Sequence, residues 1–384
     1  PDGKPLIEVD GPTGKYGSER VRIVAGVDGS HRVEVRSLEK SAPAGRYRLD
    51  VTAVRVADAD DRQRIEAQAA YVAAVQLSIR GTGDALRQAL DRYRDAGRLW
   101  GSIGETAEEG TAENDLGYAF RLLSDYPRAR EHYLRALDLR RQAGDGPGEA
   151  QTLTNLGALS YLLGENQRAL DYYTPALRLR QAEGNFQEEA LLLSNMGEVY
   201  ALWSEHQRAL DYFRQALPAQ RRVGDRLRES LTLSNIGLLY NNTGQPAVAL
   251  PLFESALVAA RTSGNRRVEA RILVNRGGAF RDLGDTPGAL ASYEQALTLQ
   301  RTAGDRLGES ETLNAIGVLF MRNGEDDKAL DYYRRALMLQ QAVGSRSLAG
   351  ARSLRFVHPD ERRAGDRVGP PDPASAPRRD GRCP

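Results

Sequence analysis

Apolar positions in the chain recur three and four residues apart, and the runs they form recur every 40 residues. In the stretch 145–184, Leu153, Leu156, Gly157 and Ser160 keep helical spacing, as do Ala169, Leu170, Tyr173, Ala176 and Leu177. Between the two runs lies Gly164, where a left-handed residue ends a helix cheaply. Gly184 closes the second run, and Asn185 follows as a natural N-cap for the next helix. Glu189, like Glu149, Glu229, Glu269 and Glu309, stands near a helix start, where the dipole favours negative charge. Each unit therefore predicts a helix, a turn and a second helix. Six such units fill 105–344 without a gap, with Ala129, Tyr133, Ala136 and Gly144 returning in register through to Ala329, Tyr333, Ala336 and Gly344. A period of this size predicts a solenoid, each unit burying its apolar face against its neighbours.

Outside that stretch the pattern changes. Residues 1–57 alternate with period two in Leu6–Val9, Val21–Val24, Arg32–Arg36 and Tyr47–Val51, separated by turn-formers such as Asp28-Gly29-Ser30. This predicts a small, partial antiparallel β-sandwich. Residues 58–104 predict a long helix to Arg80 and a second from about Asp84 to Trp100, with Ala89, Tyr93, Ala96 and Gly104 in register with the repeats. Together these form a degenerate opening repeat that caps the array. Residues 345–384 predict a partial helix and then a disordered tail, since from His358 onward Arg, Pro and Gly dominate.

The repeated Leu153, Leu156-Gly157, Ala169, Tyr173 and Ala176 resemble the tetratricopeptide repeat in a longer, 40-residue form. Departures are small: Ser124 and Ser204 replace the mid-unit glycine, and the first-helix asparagine is displaced to Asn114 in the first unit and Asn314 in the last. The resemblance implies a mostly α fold, a right-handed α-solenoid. The front of the chain resembles the sandwich of bacterial pre-peptidase C-terminal domains. The order of sandwich, long helix and repeats resembles the N-terminal part of bacterial CHAT-domain proteins. Their caspase-like peptidase domain has no counterpart here, so no catalytic His or Cys is carried over.

Charge adds little. The net charge is +1, which offers no global field for nucleic acid or an anionic membrane, and no window has the length of a membrane span. Cys383 is the lone cysteine, which excludes an intramolecular disulfide framework but names no compartment. Nothing fixes an oligomeric state.

Candidate chemistry is sparse. Gly11-Pro12-Thr13-Gly14-Lys15 lacks the upstream glycine of a phosphate loop (Val9 stands there) and has Tyr16 where Ser or Thr is needed. A nucleophilic pair would need Cys383 with His31, His132, His206 or His358, and a tail cysteine has no packing to hold a base beside it. These histidines also lack metal-ligand spacing. The reading is of a non-enzyme without cofactor or metal.

One row stands out. Asn155, Asn195, Asn235 and Asn275 recur two residues before the glycines of the first helices. The family's geometry implies that this face looks into a concave groove, where an amide suits an extended peptide backbone because it both donates and accepts. The same asparagines could instead bond neighbouring helices to fix repeat stacking. Specificity would come from Tyr161, Glu198, Leu238, Asn241, Asn242, Arg281 and Arg322. The expected function is a protein- or peptide-binding scaffold acting as a regulatory or sensing arm. Alternatives are a truncated fragment of a CHAT-domain peptidase and a structural spacer.

Overall fold

The computed structural model describes residues 58–343, and the strands expected in 1–57 and the tail expected after 344 lie outside them. Among the described residues there are fourteen helices and no strand. The opening pair is α1 (Ala59–Arg80) and α2 (Gly83–Ser102). Then come α3 (Thr106–Leu122), α4 (Tyr126–Ala143), α5 (Gly146–Leu162), α6 (Asn166–Glu183), α7 (Phe186–Leu202), α8 (His206–Val223), α9 (Arg226–Asn242) and α10 (Pro246–Ser263). These belong to one compact unit, which ends at Asn265. A second unit starts at Arg266 and holds α11 (Arg266–Leu283), α12 (Thr286–Thr302), α13 (Arg306–Arg322) and α14 (Asp326–Val343).

Local chemistry sets the boundaries. Asp145, Asn185, Asp225 and Asp305 each accept a backbone N–H three residues on, capping α5, α7, α9 and α13. Each unit turns through one left-handed residue. It is a glycine at Gly164, Gly244, Gly284 and Gly324, and Ser124 and Ser204 adopt the same conformation at φ 61° and 59°. Four of these glutamates, Glu149, Glu189, Glu229 and Glu309, also reach back to the end of the preceding helix, a link the dipole argument alone does not supply. Arg141 donates to Glu149 at 2.7 Å, Gln181 to Glu189 at 2.9 Å, Arg221 to Glu229 at 2.7 Å and Arg301 to Glu309 at 2.6 Å.

The core of a repeat is a glycine against a ring. A Cβ on Gly157 would run into the Tyr173 ring, and one on Gly197 would fall 2.7 Å from the Phe213 ring. Gly117, Gly237, Gly277 and Gly317 meet Tyr133, Phe253, Tyr293 and Tyr333 in the same way. The missing side chain lets the two helices of a repeat approach closely, and the ring fills the gap. Tyr133, Tyr173, Phe213, Phe253 and Tyr293 are all buried, with Ala129, Ala169, Ala209, Ala249 and Ala289 beside them.

A polar pattern of twice the repeat length overlies this core. Arg140 donates to Thr152 at 2.8 Å, Gln220 to Thr232 at 2.9 Å, and Thr312 to Gln300 at 2.9 Å, all buried. At the intervening register Leu192 replaces the threonine, and Arg180 turns instead to Glu183.

Candidate functional site: the inner face of the first helices

Within each unit the first helices crowd together. In the first unit α3 touches α5, α5 touches α7 and α7 touches α9, and in the second α11 touches α13. Among the described residues no comparable contact joins successive second helices. Elements on the inside of a curve sit closer than those outside it, so the first helices line the inner face of each unit.

The asparagine row lies on these helices, and its members are half-buried. Asn155 donates to the buried Asn114 carbonyl of the preceding repeat at 3.0 Å, and Asn235 donates to Glu198 at 3.1 Å. Asn195 lies beside the Tyr173 hydroxyl, whose ionisation burial drives far upward. Each bond spends one N–H of an amide that has two N–H donors and an acceptor, so one row can tie neighbouring repeats and still offer hydrogen bonds. Asn275 stands at the same register on α11.

The neighbours fall into groups. Burial, and then Glu198, raise the ionisation of the half-buried Tyr161 phenol, which puts these two in one electrostatic environment. Asn241 and Asn242 occupy the last positions of α9, the first half-buried and the second exposed. In the second unit Arg281 and Arg322 converge on Asp282. Arg281 donates to it through Nε at 3.0 Å and a terminal nitrogen at 3.1 Å, and Arg322 donates at 2.7 Å. The three residues border a recess of ≈ 340 Å³.

Several residues escaped the sequence reading. Asp115 occupies the register position 40 before Asn155, so it heads the amide row. Its Oδ2 accepts from Tyr71 of α1 at 2.7 Å and its Oδ1 from Asn114 at 3.0 Å. Burial raises its ionisation from the usual aspartate value, and these two hydrogen bonds oppose the rise. Leu122, Leu162 and Leu202 also recur every 40 residues, two helical turns after the row, and are 41 %, 53 % and 60 % exposed. Subtracting and adding the period would have found both sets.

Of the sequence's histidines, His132 bonds Glu113 at 2.6 Å and stacks on Phe120, which places it in the packing of the opening repeats. Cys383, His31, His358 and the glycine-rich turn at 11–14 lie outside the described residues. Among the described residues no group of three or more His, Cys, Asp or Glu could hold a metal ion, and no helix is long and apolar enough to cross a membrane.

Comparison with known proteins agrees with this geometry. The tetratricopeptide repeat family matches residues 108–182, 188–262 and 268–342, which together are more than half of the chain. Its matches begin at 80-residue steps, the same interval as the buried polar pairs. No curated protein sequence matches the chain significantly. Among solved structures the chain is similar to the apo form of RapI, with TM-score 0.60 at 16% identity, covering 73% of this chain and 99% of that one. A signal-transduction ATPase with a tetratricopeptide repeat sensor, from Pyrococcus horikoshii, aligns with TM-score 0.62 at 13% identity over 74% of this chain and 45% of its own. The Rap conjugation gene regulator of plasmid pLS20, in complex with the Phr* peptide, aligns with TM-score 0.51 at 17% identity over 78% and 79%. At these identities the likeness is one of fold.

Proposed function

The chain belongs to the tetratricopeptide repeat family, and from that premise we propose that it is a non-enzymatic scaffold whose first helices bind an extended protein or peptide segment. The observation that carries this reading is the half-buried amide recurring every 40 residues on the inner face. A backbone laid across successive first helices meets the same donor and acceptor at each step, whatever its side chains. Asn155, Asn195 and Asn235 serve such a backbone on the first unit, and Asn275 offers the same amide on the second. Tyr161, Glu198, Leu238, Asn241 and Asn242 set the preference for side chains on the first unit, and Arg281 and Arg322 on the second. The structure solved with the Phr* peptide gives a fold of this kind holding a peptide.

A second reading has its own support. The Asn155–Asn114 and Asn235–Glu198 bonds are internal, and a row used only in that way would make the array a spacer. Cross-linking separates the two. A peptide selected on the full chain from a displayed random library, carrying a photoreactive benzophenone, should label α5, α7 and α9. Labelling confined to second helices, or a library that yields no binder, contradicts the inner-face reading.

A further inference from the structure

We propose that the inner face of the first unit has a direction: Asp115 receives a cationic group at the α3 end, and the leucine ladder receives apolar side chains beyond it. The occupant is then an extended segment with a basic head and apolar residues at a three-residue interval. This rests on the inner-face reading and narrows it to a class of ligand.

Asp115 breaks the chemistry of its row. Asn155, Asn195 and Asn235 follow it at the same register as neutral amides, and the head alone carries a carboxylate. Both of its partners, the Tyr71 hydroxyl and the Asn114 amide, are neutral donors. No Lys, Arg or His forms an ion pair with it among the described residues. Arg140 is the cation whose field it feels, but that guanidinium is held elsewhere, by the Gly148 carbonyl at 2.5 Å and Thr152 at 2.8 Å. Its hydrogen-bond path to Asp115 runs through Thr152, which donates to Asn114 at 3.2 Å, and through the Asn114 amide. A carboxylate offers about four lone-pair sites, and two are used here. A partly buried anion held by neutral groups gains most from a cation that brings N–H donors to the remaining sites.

Beside the row, Leu122, Leu162 and Leu202 lie seven residues after Asp115, Asn155 and Asn195, two turns along the same face of each helix. The ladder ends at Asn242, so the apolar side chains of the ligand belong over α3, α5 and α7. Packed helices lie about 8–10 Å apart. A polyproline II segment rises about 3.1 Å per residue with three residues per turn, so every third side chain returns to one face after about 9 Å. Such a segment also makes no internal backbone hydrogen bonds, which leaves its N–H and C=O groups for the amide row.

The test pans the full chain against a phage-displayed random dodecapeptide library and resynthesises the captured peptides. Enrichment should favour a basic residue or free amino terminus at one end, with apolar residues three apart. Replacing the basic residue by norleucine, or acetylating the amino terminus, shows which cation is read. Asp115→Asn should weaken the basic peptide at least about tenfold, while a neutral analogue binds both proteins equally. The melting temperature of Asp115→Asn should hold or rise, because a poorly compensated buried charge is removed. If that variant fails to fold, wild-type protein alone decides: equal affinity for charged and neutral analogues overturns the proposal. Captured peptides with no basic preference overturn it too and leave the inner-face reading standing, whereas a library that yields no binder removes both.

Discussion

Gly197 and Gly278 both lie inside first helices, yet they carry opposite expectations. A methyl on Gly197 would press on the Phe213 ring, which is buried and has no room to yield. Overpacking of that kind costs about 1–3 kcal/mol, and more where the ring is pinned, against roughly 1 kcal/mol gained in helix propensity. At Gly278 a Cβ would meet nothing within 4 Å, and no positive φ opposes a side chain. Urea denaturation should therefore show Gly197→Ala less stable than wild type and Gly278→Ala more stable by about 0.5–1 kcal/mol. Equal shifts in the two variants would mean that the ring is not what holds the first position to glycine. At this scale much was legible: the recurring alanines, aromatics and glycines mark the core, because burial repeats with the period. Asp115 was not, because a one-residue change of type in a row of amides looks like drift until Tyr71 and Asn114 are seen around it.

Between elements, the buried polar pairs decide how repeats meet. The Gln220 amide donates to Thr232 at 2.9 Å and to Ser194 at 3.0 Å, so it ties α8 to both α7 and α9. Thr232→Val removes one acceptor and leaves a buried donor less satisfied, a loss of about 1–2 kcal/mol. Adding Gln220→Leu removes the need for that acceptor, so the double variant should recover most of the loss. A double-mutant cycle by denaturation measures the coupling, and strictly additive losses would show that the two side chains do not act as a pair. Helix boundaries were readable from the capping residues and turns. The 80-residue alternation was not, because Arg140, Gln220 and Gln300 look like ordinary surface residues in sequence and only packing reveals them buried at 2 %, 1 % and 5 % exposure.

For the molecule as a whole, the repeat period carried the fold into view, and the same period placed the asparagine row on one helix face. What sequence could not supply is whether each amide serves its neighbour alone or a ligand as well, since that depends on which groups stand across the helix–helix contact. Asn235 meets Glu198 there and Asn155 meets Asn114. The double variant Asn195→Ala, Asn235→Ala decides the matter in one preparation, by calorimetry and by titration with a library-selected peptide. Each amide–backbone bond is worth about 0.5–1.5 kcal/mol, so a row that binds ligand predicts affinity lower by roughly one to two powers of ten, alongside the modest loss of stability that giving up the Asn235–Glu198 tie brings. A clear fall in melting temperature with unchanged affinity would contradict the scaffold's binding role and leave the asparagines as ties between repeats.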